Sequence, residues 1–64
     1  MKLFPGMIVY LNDVDYRIKD VTNDYILAVP VEWDDERLFG DDYIEVGTPD
    51  RYTHDDFADA VIIA

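Results

Sequence analysis

Residues 14–31 read VDYRIKDVTNDYILAVPV and contain the clearest structural signal in the chain. Over Val14–Val21 apolar and polar residues alternate, which is the period-two pattern of a strand with one solvent-facing side. Tyr25–Val31 is apolar on both faces, as expected of a central or covered strand, and Pro30 lies near its end, where a missing N–H can be spared. The Thr-Asn-Asp between them has tight-turn composition, because Asn and Asp tolerate positive φ angles. We therefore predict a hairpin of these two strands.

The segment before this hairpin predicts one more strand. Pro5-Gly6 has the composition of a turn. Met7–Leu11 follows it, and its β-branched and aromatic residues suit a well-covered strand that Asn12-Asp13 then ends.

A fourth strand is predicted over about Asp42–Val46, before the turn residues Gly-Thr-Pro-Asp. Alternation along a strand turns neighbouring side chains to opposite faces. The residues predicted to point inward are Ile44 and Val46, and those predicted to point outward are Tyr43 and Glu45.

The C-terminal stretch, residues 55–64, allows two interpretations. Thr53 with Asp56 three residues later resembles a helix N-cap, which favours a short helix. Against a longer helix, Ala60–Ala64 has three consecutive β-branched residues and no C-cap. We prefer one helical turn around Asp55–Asp59 followed by a last strand.

Four or five short strands, a Pro-Gly before the first and a helical turn before the last resemble the Src-homology-three-like small barrels, including Tudor and KOW-type modules. The residues that carry the resemblance are Pro5-Gly6, Val9, Tyr16-Arg17-Ile18, Tyr25-Ile26-Leu27-Ala28 and Val61-Ile62-Ile63. The resemblance implies a mainly β fold, namely a small five-stranded antiparallel barrel with one short helical turn near the C-terminus. We expect residues 1–64 to form this single domain. The resemblance concerns the fold and assigns no functional residues.

Composition restricts the compartment and the class of partner. Fifteen Asp and Glu against five Lys and Arg give a formal charge of −10, which repels nucleic acid and anionic lipid and favours basic protein surfaces. This exceeds the magnitude of about 2–8 that keeps a small domain soluble. The chain has no Cys and no apolar run of membrane-spanning length. We therefore expect a cytoplasmic protein that binds neither nucleic acid directly nor membranes.

Catalysis is not expected. The chain has no Ser and no Cys. Its one His, His54, lies between Thr53 and Asp55 at the predicted helix start, where a solvated or capping role is the simpler interpretation. The adjacent acids Asp34-Asp35 and Asp41-Asp42 resemble paired glycosidase carboxylates only in composition, and a barrel this small offers little cavity for a reaction.

No metal or cofactor is expected either. Residues 34–42 have the oxygen chemistry that suits calcium, but the spacing of a calcium-binding loop is absent. Apolar Leu38 and Phe39 precede Gly40, and Val46 occupies the position of the late Glu ligand. We expect these residues to bind divalent cations weakly and nonspecifically at most.

The most unusual segment lies between Glu32 and Glu45, where seven acids stand against one base, Arg37. Acids steer a basic partner, and aromatic residues supply the anchors that dominate interface energies. Alternatively, Trp33 and Phe39 fold back to cap the barrel. The predicted partner-binding residues, called the acid-aromatic surface below, are Trp33, Asp34, Asp35, Glu36, Phe39, Asp41, Asp42, Tyr43 and Glu45.

These features favour an acidic protein-binding module that occupies a basic, nucleic-acid-binding surface of an enzyme or defence complex as an inhibitor. In size and charge the chain is also similar to small inhibitors encoded by phages, some of which imitate DNA. Acids two residues apart on a strand lie about 6.5–7 Å apart, comparable to successive phosphates. Asp41 and Glu45, together with the loop acids, could therefore present a phosphate-like row. The alternative is a structural subunit that oligomerises through the apolar face of Tyr25–Val31 or through the edge of the last strand.

Overall fold

The computed structural model describes residues 2–34 and 43–64. Within these residues six strands form one antiparallel sheet, ordered β4-β3-β2-β1-β6, with β5 also paired to β3. The strands are β1 (Ile8–Leu11), β2 (Val14–Val21), β3 (Ile26–Trp33), β4 (Tyr43–Glu45), β5 (Asp50–Tyr52) and β6 (Val61–Ile62), and a 3-10 turn covers Asp55–Phe57. The mainly β prediction is confirmed. Among the described residues no pairing joins the two ends of this order, so the sheet is not closed, and the five-stranded barrel is not confirmed.

The turns form as their composition predicts. Asn12 and Asp13 both have positive φ, 52° and 66°, in the two-residue loop of the β1–β2 hairpin, as in the primed turns that match the twist of paired strands. In the β2–β3 hairpin the Thr22 hydroxyl accepts hydrogen bonds from the N–H groups of Asp24 and Tyr25, at 3.2 and 3.1 Å. Both hairpins are thereby fixed by local chemistry.

Both faces of β3 are covered, as its apolar sequence predicts. The main core lies on one face and contains Val9, Ile18, Ile26, Ala28, Phe57 and Ala60. A smaller cluster of Ile8, Val29 and Val31 lies on the other face, and Tyr43 packs against it. The chain therefore divides its apolar residues between the two sides of one sheet.

The C-terminal region is one helical turn followed by a strand, as preferred from its sequence. Thr53 and Asp56 form a reciprocal pair, because each backbone N–H donates to the other's side chain, at 2.9 and 3.1 Å. The turn inserts Phe57, which is 1% exposed, into the main core. There its ring meets Tyr16 and Tyr52 edge-on, with centroids 5.4 and 5.1 Å away.

The strand after residue 42 differs from its prediction. The register pairs Val31 with Glu45 and Trp33 with Tyr43, which turns Tyr43 toward the smaller cluster, while Val46 is 47% exposed. The prediction of Tyr43 outward and Val46 inward was therefore wrong. It assumed one inner face, whereas β3 has apolar residues on both.

The predicted turn at residues 47–50 is shorter, because Asp50 already begins β5. β4 and β5 pair with successive parts of β3 and are separated opposite Pro30. The Pro30 carbonyl accepts from the Val46 N–H at 2.9 Å, and a strand residue points its N–H and C=O to the same neighbour. The missing N–H of Pro30 therefore faces the gap between the two strands.

Candidate functional site

The described part of the acid-aromatic surface consists of Trp33, Asp34, Tyr43 and Glu45. The other predicted residues, Asp35, Glu36, Phe39, Asp41 and Asp42, lie outside the described residues, and their assignment stays a prediction.

Trp33 and Tyr43 form an aromatic pair between the last residue of β3 and the first residue of β4. They are directly opposite each other, with ring centroids 5.1 Å apart and planes at 79°. Tyr43 is half-buried against the smaller cluster, whereas Trp33 is 55% exposed. Trp33 is therefore exposed and does not cap the core.

Glu45 has its charge balanced within the chain. Its Oε2 accepts hydrogen bonds from Arg17 Nη1 at 3.0 Å and Lys19 Nζ at 2.9 Å. The bond from Lys19, followed by that from Arg17, lowers the pKa of Glu45 below its ordinary value, while partial desolvation opposes the shift. Glu45 is thus paired within its own sheet. Its part in a row of phosphate-like charges stays a prediction.

A groove of about 280 Å³ lies beside Trp33, at the end of the sheet where the β1–β2 turn is found. Its lining includes Tyr10, Asp13, Asp15, Val31, Glu32 and Trp33. The register explains this gathering, because Tyr10 is opposite Asp15 and Asp15 is opposite Val31, so three strands contribute neighbouring side chains. The acidic and aromatic character predicted after residue 32 therefore extends onto the first hairpin.

Sequence reasoning missed Tyr10, Asp13 and Asp15, because strand pairing alone brings them to Trp33. Tyr10 is 42% exposed and lies on the surface of the first hairpin. Its hydroxyl donates to Asp13 Oδ1 at 2.6 Å across the turn. That hydrogen bond, together with the carboxylate charge, raises the pKa of Tyr10. A Tyr followed three residues later by Asp across a tight turn is the local signal that was available.

The other basic side chains of the described residues lie over aromatic rings. The Arg51 guanidinium is 4.7 Å from the centroid of Tyr25, and Lys2 Nζ is 5.7 Å from that of Phe4. Arg17 and Lys19 both pair with Glu45. Among the described residues, no ion pair involves Asp13, Asp15 or Glu32.

A second cavity, of about 390 Å³, lies over the main core between Lys2 and His54. His54 Nε2 donates to the backbone carbonyl of Thr22 at 2.7 Å, which ties the 3-10 turn to the β2–β3 turn. This is a structural contact, and it explains why a His stands at the exposed start of the turn.

The described residues contain neither a metal-binding group nor a membrane-spanning helix. No group of three or more His, Cys, Asp or Glu there is arranged to hold a metal ion. The three groove carboxylates are thus too dispersed for one ion. In the same part of the chain, no helix has the length and apolar character needed to cross a membrane.

Comparison with known proteins does not assign the chain to a family. No family model, no curated protein and no solved structure matches it.

Proposed function

We propose that the chain is an acidic, non-catalytic protein-binding module that occupies a basic surface of a partner protein. The observation that supports this most is the setting of Trp33. This large side chain is 55% exposed and lines a groove with three carboxylates, in a chain of formal charge −10. Trp is enriched among interface hot spots, and surrounding charge steers a partner of opposite sign to the surface.

The charge balance of the sheet supports the same proposal. The described Lys and Arg side chains contact either Glu45 or an aromatic ring. Among the described residues they therefore do not pair with the groove carboxylates, which can bind a basic partner. A basic surface that normally binds nucleic acid has the matching charge. The proposal therefore includes inhibition of a nucleic-acid-binding enzyme or defence complex in the cytoplasm, by a phage-type imitation of DNA. A Src-homology-three-like relationship of the sheet stays part of this proposal, on the strand pattern alone.

Affinity capture from the native host tests the proposal. The immobilised chain is expected to retain a basic protein that about 0.5 M NaCl releases, because salt at that strength screens charges beyond a few ångströms. A competing DNA duplex is expected to release the same protein. Changing Asp34, Asp35, Asp41 and Asp42 together to Asn should abolish capture.

The matched control changes Asp20, Asp24, Asp55 and Asp59 to Asn, which removes the same charge from other parts of the chain. This variant should still capture the partner. Equal loss in both variants would show that only net charge matters. A partner that stays bound at high salt would remove the electrostatic premise.

A second function is favoured by the edge of β6. Val61, Ile62 and Ile63 are 57%, 40% and 45% exposed, and within the described residues β6 pairs with β1 alone. Apolar, uncharged edge strands invite pairing with another chain. The face of Tyr25–Val31 is a poorer candidate, because Val29 and Val31 are buried.

Sedimentation of the isolated chain separates the two functions. A monomer from micromolar to millimolar concentration supports the binding module alone. A dimer or ring that Val61→Lys returns to monomer supports assembly through β6, with Lys19→Arg as the control substitution that leaves this edge unchanged.

A further inference from the structure

We propose that the groove between Tyr10 and Trp33 receives an arginine side chain of the partner protein. This inference rests on the proposed function and names the contact at its centre. It adds Tyr10, Asp13 and Asp15 of the first hairpin to the binding site.

The charge of the groove selects a cation. Asp13, Asp15 and Glu32 line it, and none of them forms an ion pair within residues 2–34 and 43–64. The Tyr10 hydroxyl occupies only Oδ1 of Asp13. A bare metal ion is disfavoured, because these carboxylates do not converge as ligands. A cation that spreads its charge and its donors over several atoms suits them better.

The two aromatic walls are held in place before any partner binds. The Trp33 ring rests edge-on against Tyr43, which is anchored on the smaller cluster. The Tyr10 ring is fixed by its hydrogen bond to Asp13. Fixed walls reduce the entropy that binding costs, and the quadrupole of an aromatic ring attracts a cation that lies over its face. The Arg51–Tyr25 contact shows the same type of pairing within this chain.

The size and shape of the groove favour one side chain over a small molecule. Its volume of about 280 Å³ is at the lower limit of ligand sites, which hold about 300–1,000 Å³. Arginine fits better than lysine, because its planar group stacks on rings and donates to two carboxylates at once.

The backbone at Asp13 is a further observation. Its φ of 66° lies in the left-handed region, and the second position of such a two-residue turn is usually Gly. The chain instead places a carboxylate there, hydrogen-bonded to the exposed Tyr10. Asp tolerates positive φ, so the turn keeps its geometry while it places this carboxylate beside the groove.

The test titrates the labelled full chain with three short peptides and follows the backbone amides and the Trp33 indole N–H by NMR. The peptides are Gly-Ser-Arg-Ser-Gly and the same sequence with Lys or citrulline in place of Arg, all with blocked termini. The Arg peptide should bind with millimolar affinity and shift signals of Tyr10, Asp15 and Trp33. The Lys peptide should bind about threefold to tenfold more weakly, and the uncharged citrulline peptide should cause no saturable shift.

Two variants localise the contact. Asp15→Asn and Trp33→Ala should each weaken the Arg peptide by about fivefold or more, whereas Asp24→Asn, which removes the same charge at the β2–β3 turn, should change it by less than about twofold. Equal effects of Asp15→Asn and Asp24→Asn, or shifts that map elsewhere, overturn the proposal. Because Trp33 is exposed, circular dichroism should show both groove variants folded; if Trp33→Ala is not, Asp15→Asn alone decides.

The failure of this inference differs from the failure of the proposed function. If Asp15→Asn and Trp33→Ala lose the Arg peptide and also lose the captured host protein, both hold. If the peptide does not bind in the groove but capture remains sensitive to salt and DNA, the arginine contact is wrong and the acidic module stands. If capture fails while the peptide binds, the groove is real and the partner class is wrong.

Discussion

Two carboxylates beside Val31 have opposite electrostatic settings. Glu45 on β4 and Asp15 on β2 are both register partners of Val31, so all three side chains share one face. Glu45 accepts bonds from Arg17 and Lys19, whereas Asp15 has no ion pair within the described residues. The same charge is thus paired within the sheet in one case and has no ion pair among the described residues in the other.

Glu45→Gln should lower stability at neutral pH only. The pKa of Glu45 is lowered in the fold, so its contribution is present above the unfolded value of about 4.3 and is lost as the pH falls through the folded pKa. Urea denaturation should show the wild type slightly more stable at pH 7 and the two proteins equal near pH 3. A difference that persists at pH 3 would mean that Glu45 acts through packing.

Asp13→Asn should lower the pKa of Tyr10 toward its ordinary value of about 10. The Asp13 carboxylate accepts a hydrogen bond from the Tyr10 hydroxyl and repels the phenolate. The neutral amide of Asn accepts only a weaker hydrogen bond and does not repel the phenolate. An NMR titration of the Tyr10 ring above pH 9 measures this change, with Asp24→Asn as the control. An unchanged Tyr10 pKa would contradict the hydrogen bond.

At the scale of elements, the division between β4 and β5 depends on Pro30 and Gly47. A Cβ added to Gly47 would lie 2.9 Å from Pro30 Cγ, closer than real side chains approach. The two residues therefore fit together at the point where β3 lacks an N–H, and the strand opposite is interrupted there.

Gly47→Ala should destabilise the chain by about 1–3 kcal/mol, because the stiff proline ring cannot move aside. Pro30→Ala removes that ring, so the double variant should be more stable than the sum of the two single effects by about 1 kcal/mol. Denaturation of the four proteins of this cycle measures the coupling. Additive effects would mean that the contact is not the cause.

The strands were predictable from sequence to the extent that their pattern is local. The alternation over Val14–Val21 predicts both ends of β2. The strand predicted over Tyr25–Val31 begins one residue later, at Ile26, and ends two residues later, at Trp33. β5 was missed, because Asp-Arg-Tyr carries no alternating pattern and forms a strand only by pairing with β3. The facing of Tyr43 depends likewise on register and not on its own neighbours.

The candidate site shows the same division between local and long-range information. The charge and the aromatic residues after residue 32 are visible in the sequence. The participation of Tyr10 and Asp15 is not, because they meet Trp33 only through the β1–β2–β3 pairing.

At the scale of the whole molecule, charge opposes compaction. The chain measures 37 × 18 × 17 Å and has a formal charge of −10. At about 0.01 M salt the screening length is about 30 Å, so acids repel each other along most of that length, whereas at about 1 M it is about 3 Å. We expect the repulsion among the many acids to outweigh the attraction of Glu45 to Arg17 and Lys19.

The melting temperature should therefore rise by several degrees between about 0.01 and 0.5 M NaCl at pH 7, since about 1 kcal/mol corresponds to about 4–8 °C in so small a domain. Thermal melts followed by circular dichroism measure this rise. Near pH 4, close to the sequence pI of about 4.1, the net charge is small and the salt effect should nearly vanish. A melting temperature that falls with salt at pH 7 would show that ion pairs dominate instead.

The pairing of Trp33 with Tyr43 also makes the sheet a candidate scaffold for peptide display. The two ends of residues 34–42 are brought together by β3 and β4 themselves, so an exchanged segment needs only to close a gap that the sheet already holds. Closure entropy rises slowly with length, by about 0.6 kcal/mol for each doubling. Peptides of varied length and sequence can therefore be grafted between these two residues, with the exposed indole of Trp33 at the base of each displayed loop.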